Sequence, residues 1–359
     1  MVDALGETPL EAIAKHLRVE PQPAPSIDER GPGEVVLRVR AAGINWVDVI
    51  MTSGQYQHLP APPYTPGLEM AGEILWCGSG VEGWSVGDGV IVDGMLSGPR
   101  SLGEHRRWGG FATYAVAPAE ALIAKPEALS FDAAATVLGA FETAYHVLVV
   151  RGQVQVGETV LVLGASGTTG MAAVQVAKAL GARVIATGRR ADKLEQVKRL
   201  GADHVVVTAD DEGAMRRFRD DVKALTDGQG VQVVHDGVGG EHSLEALRCV
   251  DFGARYLVVG WAATPFVARG KGQRGAPNAN VLPTNLIMMK GLDVRGCPAV
   301  ISAHRDPSLV PTRREKIMAW VEAGKIAPHV SAHYALDDVA EGMRAKFESR
   351  HVGMVTLRP

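Results

Sequence analysis

The sequence predicts an α/β protein built from a mostly antiparallel, barrel-like β domain and a doubly wound parallel sheet. Three observations lead there. Residues 158–187 read as strand, glycine turn, helix and second strand. Beyond them, apolar runs of strand length alternate with helical patterns and bring the strands to about six, the texture of a parallel sheet with helices on both faces. Ahead of them, short runs of alternating apolar and polar residues are punctuated by Gly and Pro, as in a closed antiparallel domain.

Taken in order, the chain to about Arg30 is broken by Pro21, Pro23 and Pro25 and is expected as short strands and turns. From Glu34, EVVLRVRAAGIN alternates as a half-buried strand should, and GLEMAGEILWCG, GDGVIVDG and GGFATYAVAP continue the pattern. The texture changes at Ser130. SFDAAATVLGAFETAYHVLVV is helical in composition, with Ser130 or Asp132 able to cap it. Thr159 to Leu163 is a buried strand, Met171 to Leu180 carries apolar residues at helical spacing, Gly181 stops that helix, and Arg183 to Thr187 is the next strand. HVVV, VQVVH, ARYLVVG and LDVRG supply the remaining strands. Near the end, REKIMAWVEAGKI is a helix, and HVSAHYAL and GMVTLRP are expected to return and complete the first domain. The expected boundaries are residues 1–138 with 300–359 for the β domain and residues 139–299 for the parallel sheet.

Composition removes several function classes. With 359 residues, 46% of them hydrophobic, the chain can bury two cores, and a net charge of -3 offers no basic face for nucleic acid. Cys77, Cys249 and Cys297 are scattered with no CxxC pair, which fits a reducing cytoplasm and no structural metal. The first residues lack a basic start followed by an apolar core, and no apolar run approaches the roughly 18 residues of a membrane helix. The expectation is a soluble cytoplasmic protein.

The glycine turn carries the chemistry. Gly164, Gly167 and Gly170 recur at three-residue spacing, with Ser166, Thr168 and Thr169 among them. A tight turn from a parallel strand into a helix aims unpaired N–H groups and the positive end of the helix dipole at one spot, which suits a pyrophosphate. After the second strand, where an NAD site places an acid for the ribose, stand Gly188, Arg189, Arg190 and Lys193. Three cations without a carboxylate favour a 2′-phosphate, hence NADPH. Asp236, Gly237, Val238 and Gly239 follow another strand at the carboxyl edge of the sheet, as do Gly260 and Trp261, and backbone contacts to the cofactor are expected there. Residues 261–285 contain Arg269, Lys271 and Arg274 and no acid. That segment is either a surface loop or a lid taking an anionic ligand.

The ordered motifs AAGINWVDVIMTSGQY, PGLEMAGEI, VGDGVIV, GGFATYAVAP, LGAFETAYHVL, LGASGTTG, LGADHVV, VVHDGVGG and GMVTL cover nearly the whole chain from Glu34. In them the chain resembles the medium-chain dehydrogenase/reductase superfamily and, within it, the zinc-free, ζ-crystallin-like quinone oxidoreductases. The resemblance implies a GroES-like domain plus a Rossmann domain, a homodimer, and NADPH-dependent hydride transfer to a quinone or α,β-unsaturated carbonyl. It leaves two alternatives open: an enoyl-thioester (enoyl-CoA/ACP) reductase, and a low-turnover NADP(H)-binding protein used structurally or as a redox sensor.

Carried over position by position, the three places that hold the catalytic zinc in alcohol dehydrogenases of this superfamily are Asn45, Leu68 and Gly139 here, and the structural-zinc lobe between Asp88 and Gly109 contains no cysteine. Zinc takes thiolate, imidazole or carboxylate ligands, so the expectation is no metal. The resemblance implies that Asn45 lines the nicotinamide end, where its amide can hydrogen-bond a substrate oxygen. It places Thr143 beside the cofactor and Tyr56 near the substrate as a proton donor. A second aromatic that some quinone reductases carry at the position of Ile50 is absent. Asp48 and Glu69 are implied to be supporting rather than catalytic.

Overall fold

The computed structural model describes residues 1–101, 103–264 and 280–359. The basic trio Arg269, Lys271 and Arg274 lies outside the described residues, as does most of the segment expected to form a lid. The contacts divide the chain into two units.

The first unit contains residues 1–139 and 328–359. It runs through α1 (Pro9–Lys15), β1 (Glu34–Gly43), α2 (Trp46–Met51), β2 (Met70–Cys77), β3 (Gly89–Val92), β4 (Tyr114–Pro118), β5 (Leu122–Ala124) and α3 (Phe131–Ala134). Antiparallel pairing joins β1 to β2, β2 to β3, β3 to β5, and β1 to β4. The alternation read in EVVLRVRAAGIN is visible in β1, where Arg38 and Arg40 are exposed while Leu37, Val39 and Ala41 face inward. Leu37, Ile74, Val90 and Leu357 belong to one core, and each such side chain removed from water stabilises the fold by about 1.5–3 kcal/mol.

Helix α1 stands where the sequence reading expects only short strands and turns. Its cap explains it: Thr8 Oγ1 accepts from Glu11 N at 3.2 Å, Glu11 Oε2 accepts from Glu7 N at 2.9 Å, and Pro9 occupies the first turn. Of the two caps proposed for α3, Ser130 takes the role, accepting from Ala133 N at 3.2 Å. Asp132 turns away to accept from Thr356 Oγ1 at 2.6 Å and from Arg358.

The second unit contains residues 140–264 and 280–327 of those described. A helix spanning the boundary, α4 (Val137–Tyr145), passes into a π-helical turn, His146–Arg151. There follow β6 (Thr159–Val162), α5 (Thr168–Ala179), β7 (Arg183–Gly188), α6 (Ala191–Arg199), β8 (His204–Val207), α7 (Arg219–Ala224), β9 (Val231–Asp236), α8 (Glu241–Ala246), β10 (Val250–Val258), α9 (Thr284–Met289) and β11 (Asp293–Gly296). The six strands are all parallel, in the order β11-β10-β9-β6-β7-β8. The order reverses beside β6, which is the switch point of a doubly wound sheet.

Residues 300–327, expected with the first unit, group with the second. They form α10 (Ala299–Arg305) and α11 (Leu309–Glu322). Arg313 and Arg314 of α11 both donate to Glu142 of α4, at 2.9 and 3.0 Å, and Trp320 packs on Tyr145 with ring centroids 5.8 Å apart. Ala327 N then donates to Gln175 Oε1 of α5 at 2.7 Å. The chain returns to the first unit at Pro328, through β12 (Val330–Ala335), α12 (Val339–Phe347) and β13 (Met354–Arg358). There β13 pairs parallel with β12 and antiparallel with β1.

Candidate active site

At the carboxyl edge of the parallel sheet three glycine turns meet. Gly164 has φ +65, a left-handed conformation, and Gly167 N closes the turn on Gly164 O at 3.0 Å. A Cβ on Gly164 would meet Val238 Cγ2 at 2.8 Å, and one on Gly260 would meet Gly237 O at 3.4 Å. One on Gly239, itself at φ +80, would lie 3.1 Å from Trp261 Cα. Gly170 packs its backbone directly on the Gly164–Ala165 turn, so helix and strand approach closely. Gly167 is the N-cap of α5 and makes no side-chain cap hydrogen bond at the positive end of that 12-residue helix. Ser166, Thr168 and Thr169 are partly exposed beside it.

Asp236 organises this edge from beneath. Its Oδ1 accepts from Val238 N and Gly239 N, both at 2.9 Å, and its Oδ2 accepts from Tyr256 OH at 2.7 Å and from Ser243 Oγ. Fully buried and with both oxygens engaged, its side chain sets the turn that Gly237, Val238 and Gly239 form, the backbone expected to meet the cofactor. Asn280 adds to the same network, donating to Ser243 Oγ at 3.1 Å and accepting from Gly240 N. His235, next along β9, is buried, and neither ring nitrogen has a hydrogen-bond partner among the described residues; burial pulls its pKa down to about 4.

The basic ledge is less uniform than its sequence. Gly188 ends β7 against Leu194, and Arg189 and Arg190 beyond it are exposed. Arg190 is engaged in a bidentate pair with Asp192, Nε to Oδ1 at 3.0 Å and Nη2 to Oδ2 at 2.6 Å, so a carboxylate does stand at this strand end. Lys193 lies inward at 6% exposure, and burial, then Arg190, lowers its pKa. Arg189 is the cation of the three left facing solvent without an ion pair among the described residues. Thr143 sits on α4, partly exposed.

Asn45 and Tyr56 belong to the first unit. Asn45 is the N-cap of α2. Its N–H donates to Asp48 Oδ2 at 2.9 Å, and its Nδ2 donates to Glu69 Oε2 at 2.8 Å. The second Glu69 oxygen accepts from Gly139 N. Asp48 Oδ1 accepts from Gly67 N at 3.0 Å and Leu68 N at 3.1 Å. Burial raises Asp48 to about 7, against the three N–H donors that favour its carboxylate. Tyr56 lies just beyond α2, packed with Met51 and Leu68 at 8% exposure and edge-on to His58. Burial raises its pKa, while the Arg100 guanidinium acts on the hydroxyl in the opposite sense.

The donor set at Asn45, Leu68 and Gly139 does not fit zinc: it offers an amide, an alkyl chain and no side chain at all. Glu69, the nearby carboxylate, already accepts from two of those three positions. Sequence reasoning named Asn45 and Tyr56 but missed Arg100, whose charge acts on Tyr56, and Lys346 on α12, on which the charges of Glu69 and Asp48 act. No local pattern marks either one, since each meets its partners only through the fold.

Comparison with known proteins agrees with this layout. The alcohol dehydrogenase GroES-like domain matches residues 31–127, and a domain described as zinc-binding dehydrogenase matches residues 168–305. The quinone oxidoreductase-like protein 2 homolog of Nematostella vectensis is 31% identical over 92% of this chain and 83% of its own length. Among solved structures, an NAD-dependent alcohol dehydrogenase is 31% identical with a TM-score of 0.79, over 100% of this chain and 98% of that one. A mycobacterial protein solved in complex with NADPH is 27% identical with a TM-score of 0.78 over the same shares. The GroES-like β unit, the parallel sheet with its glycine edge and these matches together show that the chain belongs to the medium-chain dehydrogenase/reductase superfamily of oxidoreductases.

Proposed function

We propose that this chain is an NADPH-dependent, zinc-independent reductase of a quinone or α,β-unsaturated carbonyl, acting in the cytoplasm as a homodimer. The observation that carries the reading is the meeting of the Gly164, Gly237–Gly239 and Gly260 turns at the uncapped start of α5. Ser166, Gly167, Thr168, Thr169 and Gly170 line that start, and backbone N–H groups there receive a pyrophosphate. Gly188 lets the ribose approach, Arg189 takes the 2′-phosphate with Arg190 and Lys193 beside it, and Thr143, Val238 and Trp261 flank the cofactor. When bound, the nicotinamide supplies the hydride. Asn45 orients the reacting end, and Tyr56 delivers the proton that completes the two-electron reduction. The name of the Nematostella vectensis relative supports the quinone, the NADPH complex of the mycobacterial neighbour supports the cofactor, and the misfit of Asn45, Leu68 and Gly139 to zinc supports chemistry without a metal.

The buried Tyr56 hydroxyl with a guanidinium acting on it serves any polarised C=C, so an enoyl thioester is the second reading. The test is NADPH oxidation, followed by absorbance, with quinones, enones and enoyl thioesters in the presence of a chelator. Turnover of quinones or enones untouched by chelation is expected. Turnover of enoyl thioesters alone selects the second reading, and tight NADPH binding with no turnover makes this a binding protein. Activity lost to the chelator and restored by zinc overturns the metal-free chemistry.

A further inference from the structure

Two buried carboxylates tie together the three positions Asn45, Leu68 and Gly139. Glu69 accepts from Asn45 Nδ2 and Gly139 N, and Asp48 accepts from Asn45 N, Gly67 N and Leu68 N. At 7% and 1% exposure they are two acidic side chains in the interior, where burial raises Asp48 to about 7 and the negative charge they carry needs a cation close by. That cation comes from the far end of the chain. Lys346 on α12 donates to Gly353 O at 3.3 Å, and the negative charges that act on its ammonium are those of Glu69 and Asp48. Helix α12 is docked on α2 at the next residue, where Phe347 stacks on Trp46 with ring centroids 5.6 Å apart. Burial pulls the ammonium down to about 8 while the two carboxylates hold its proton on, so it is charged at neutral pH.

The consequence falls on Asn45. With Nδ2 donating to Glu69 and, weakly, towards Gly43 O at 3.5 Å, both amide hydrogens point into the protein. The side-chain oxygen faces the Asp48 N–H of the capping box and retains one lone pair. We infer that Lys346 is a positioning residue that neutralises the Glu69–Asp48 pair and so fixes the Asn45 amide with its nitrogen inward, leaving Asn45 to act on a ligand as a hydrogen-bond acceptor. Its ligand atom is then a donor, a carboxamide N–H of the nicotinamide or a hydroxyl, and the carbonyl oxygen of the substrate must be polarised by another group. This reverses the expectation that the Asn45 amide donates to a substrate oxygen.

The experiment compares the wild-type protein with Lys346→Met and Lys346→Arg. The Asn45 side-chain amide is followed by nitrogen–proton NMR and assigned through its loss in Asn45→Ala. Lys346→Met is expected to move that resonance pair and to weaken NADPH binding about tenfold, the effect of one lost charge-assisted arrangement. Lys346→Arg is expected to restore both. The binding arm rests on the reductase reading and the amide arm does not, so a protein that ignores NADPH still reports on Lys346. Where Lys346→Met fails to fold, Lys346→Gln removes the charge, keeps a polar side chain and leaves Glu69 in place, and it carries the same readout. An Asn45 pair left at its wild-type position in the folded variant, or a Lys346→Arg protein as impaired as Lys346→Met, overturns the inference.

Discussion

A phenol held at 8% exposure gives up its proton only where something stabilises the phenolate, because burial raises its pKa. At Tyr56 that something is Arg100, whose charge works against the desolvation. A neutral donor beside a cation suits delivery of a proton to a carbanion forming during hydride addition, and general acids of this kind contribute about 100-fold or more to rate. Tyr56→Phe is therefore expected to lower kcat about 100-fold while leaving the Kd for NADPH nearly unchanged, read by steady-state kinetics beside a fluorescence titration. An unaltered kcat would make solvent the donor. The sequence made Tyr56 and Asn45 legible because each stands inside a contiguous motif, SGQY and GINWVD. Arg100 and Lys346 were not legible because their roles depend on contacts 44 and 277 residues away, measured from Tyr56 and Glu69. Charge alone, read along a chain, carries no information about depth.

The same limit shows in the element that follows β7. Arg189, Arg190 and Lys193 read alike in sequence, yet the helical geometry of α6 turns Lys193 inward beside Leu194 and sets Asp192 against Arg190. Only the helix register separates them. By contrast, α1 was readable in principle: a Thr with Pro next and Glu three residues on is a helix start, which the surrounding prolines obscured. The division of labour at α6 gives paired expectations. Arg189→Gln is expected to weaken NADPH about tenfold and to spare NADH, since the lost group is a charged partner of the 2′-phosphate alone. Asp192→Asn frees Arg190 and is expected to tighten NADPH while leaving NADH where it was. Titrations of both nucleotides against both variants decide it, and equal changes for the two cofactors would remove the phosphate from this ledge.

At the scale of the molecule, the parallel sheet was read correctly from its runs of Val, Ile and Leu, while the point of return to the first unit was not. REKIMAWVEAGKI is plainly a helix, but which unit it packs on depends on Arg313 and Arg314 finding Glu142, a pairing more than 170 residues apart that no periodicity announces. What the sheet does at its end bears on assembly. β11 is the terminal strand, and among the described residues no strand pairs with its outer edge. An open edge is a template for a further strand, and proteins that stay monomeric blunt it with lysines, proline or bulges. Here the edge reads Asp-Val-Arg-Gly, and Phe252, Met288 and Met289 nearby are 79%, 73% and 67% exposed. Antiparallel pairing of β11 with its own copy about a two-fold axis at Val294 sets Asp293 opposite Arg295 of the partner subunit, so unlike charges meet and no like charges do. The assembly expected is a dimer of twice the chain mass by sedimentation equilibrium at micromolar concentration. Val294→Lys would place two ammonium groups face to face on that axis and is expected to give the monomer. It should still bind NADPH, because the glycine turns lie at the ends of β6, β9 and β10 rather than along this edge. A wild-type protein that sediments as a monomer, or a Val294→Lys protein that remains a dimer, would take β11 out of the interface.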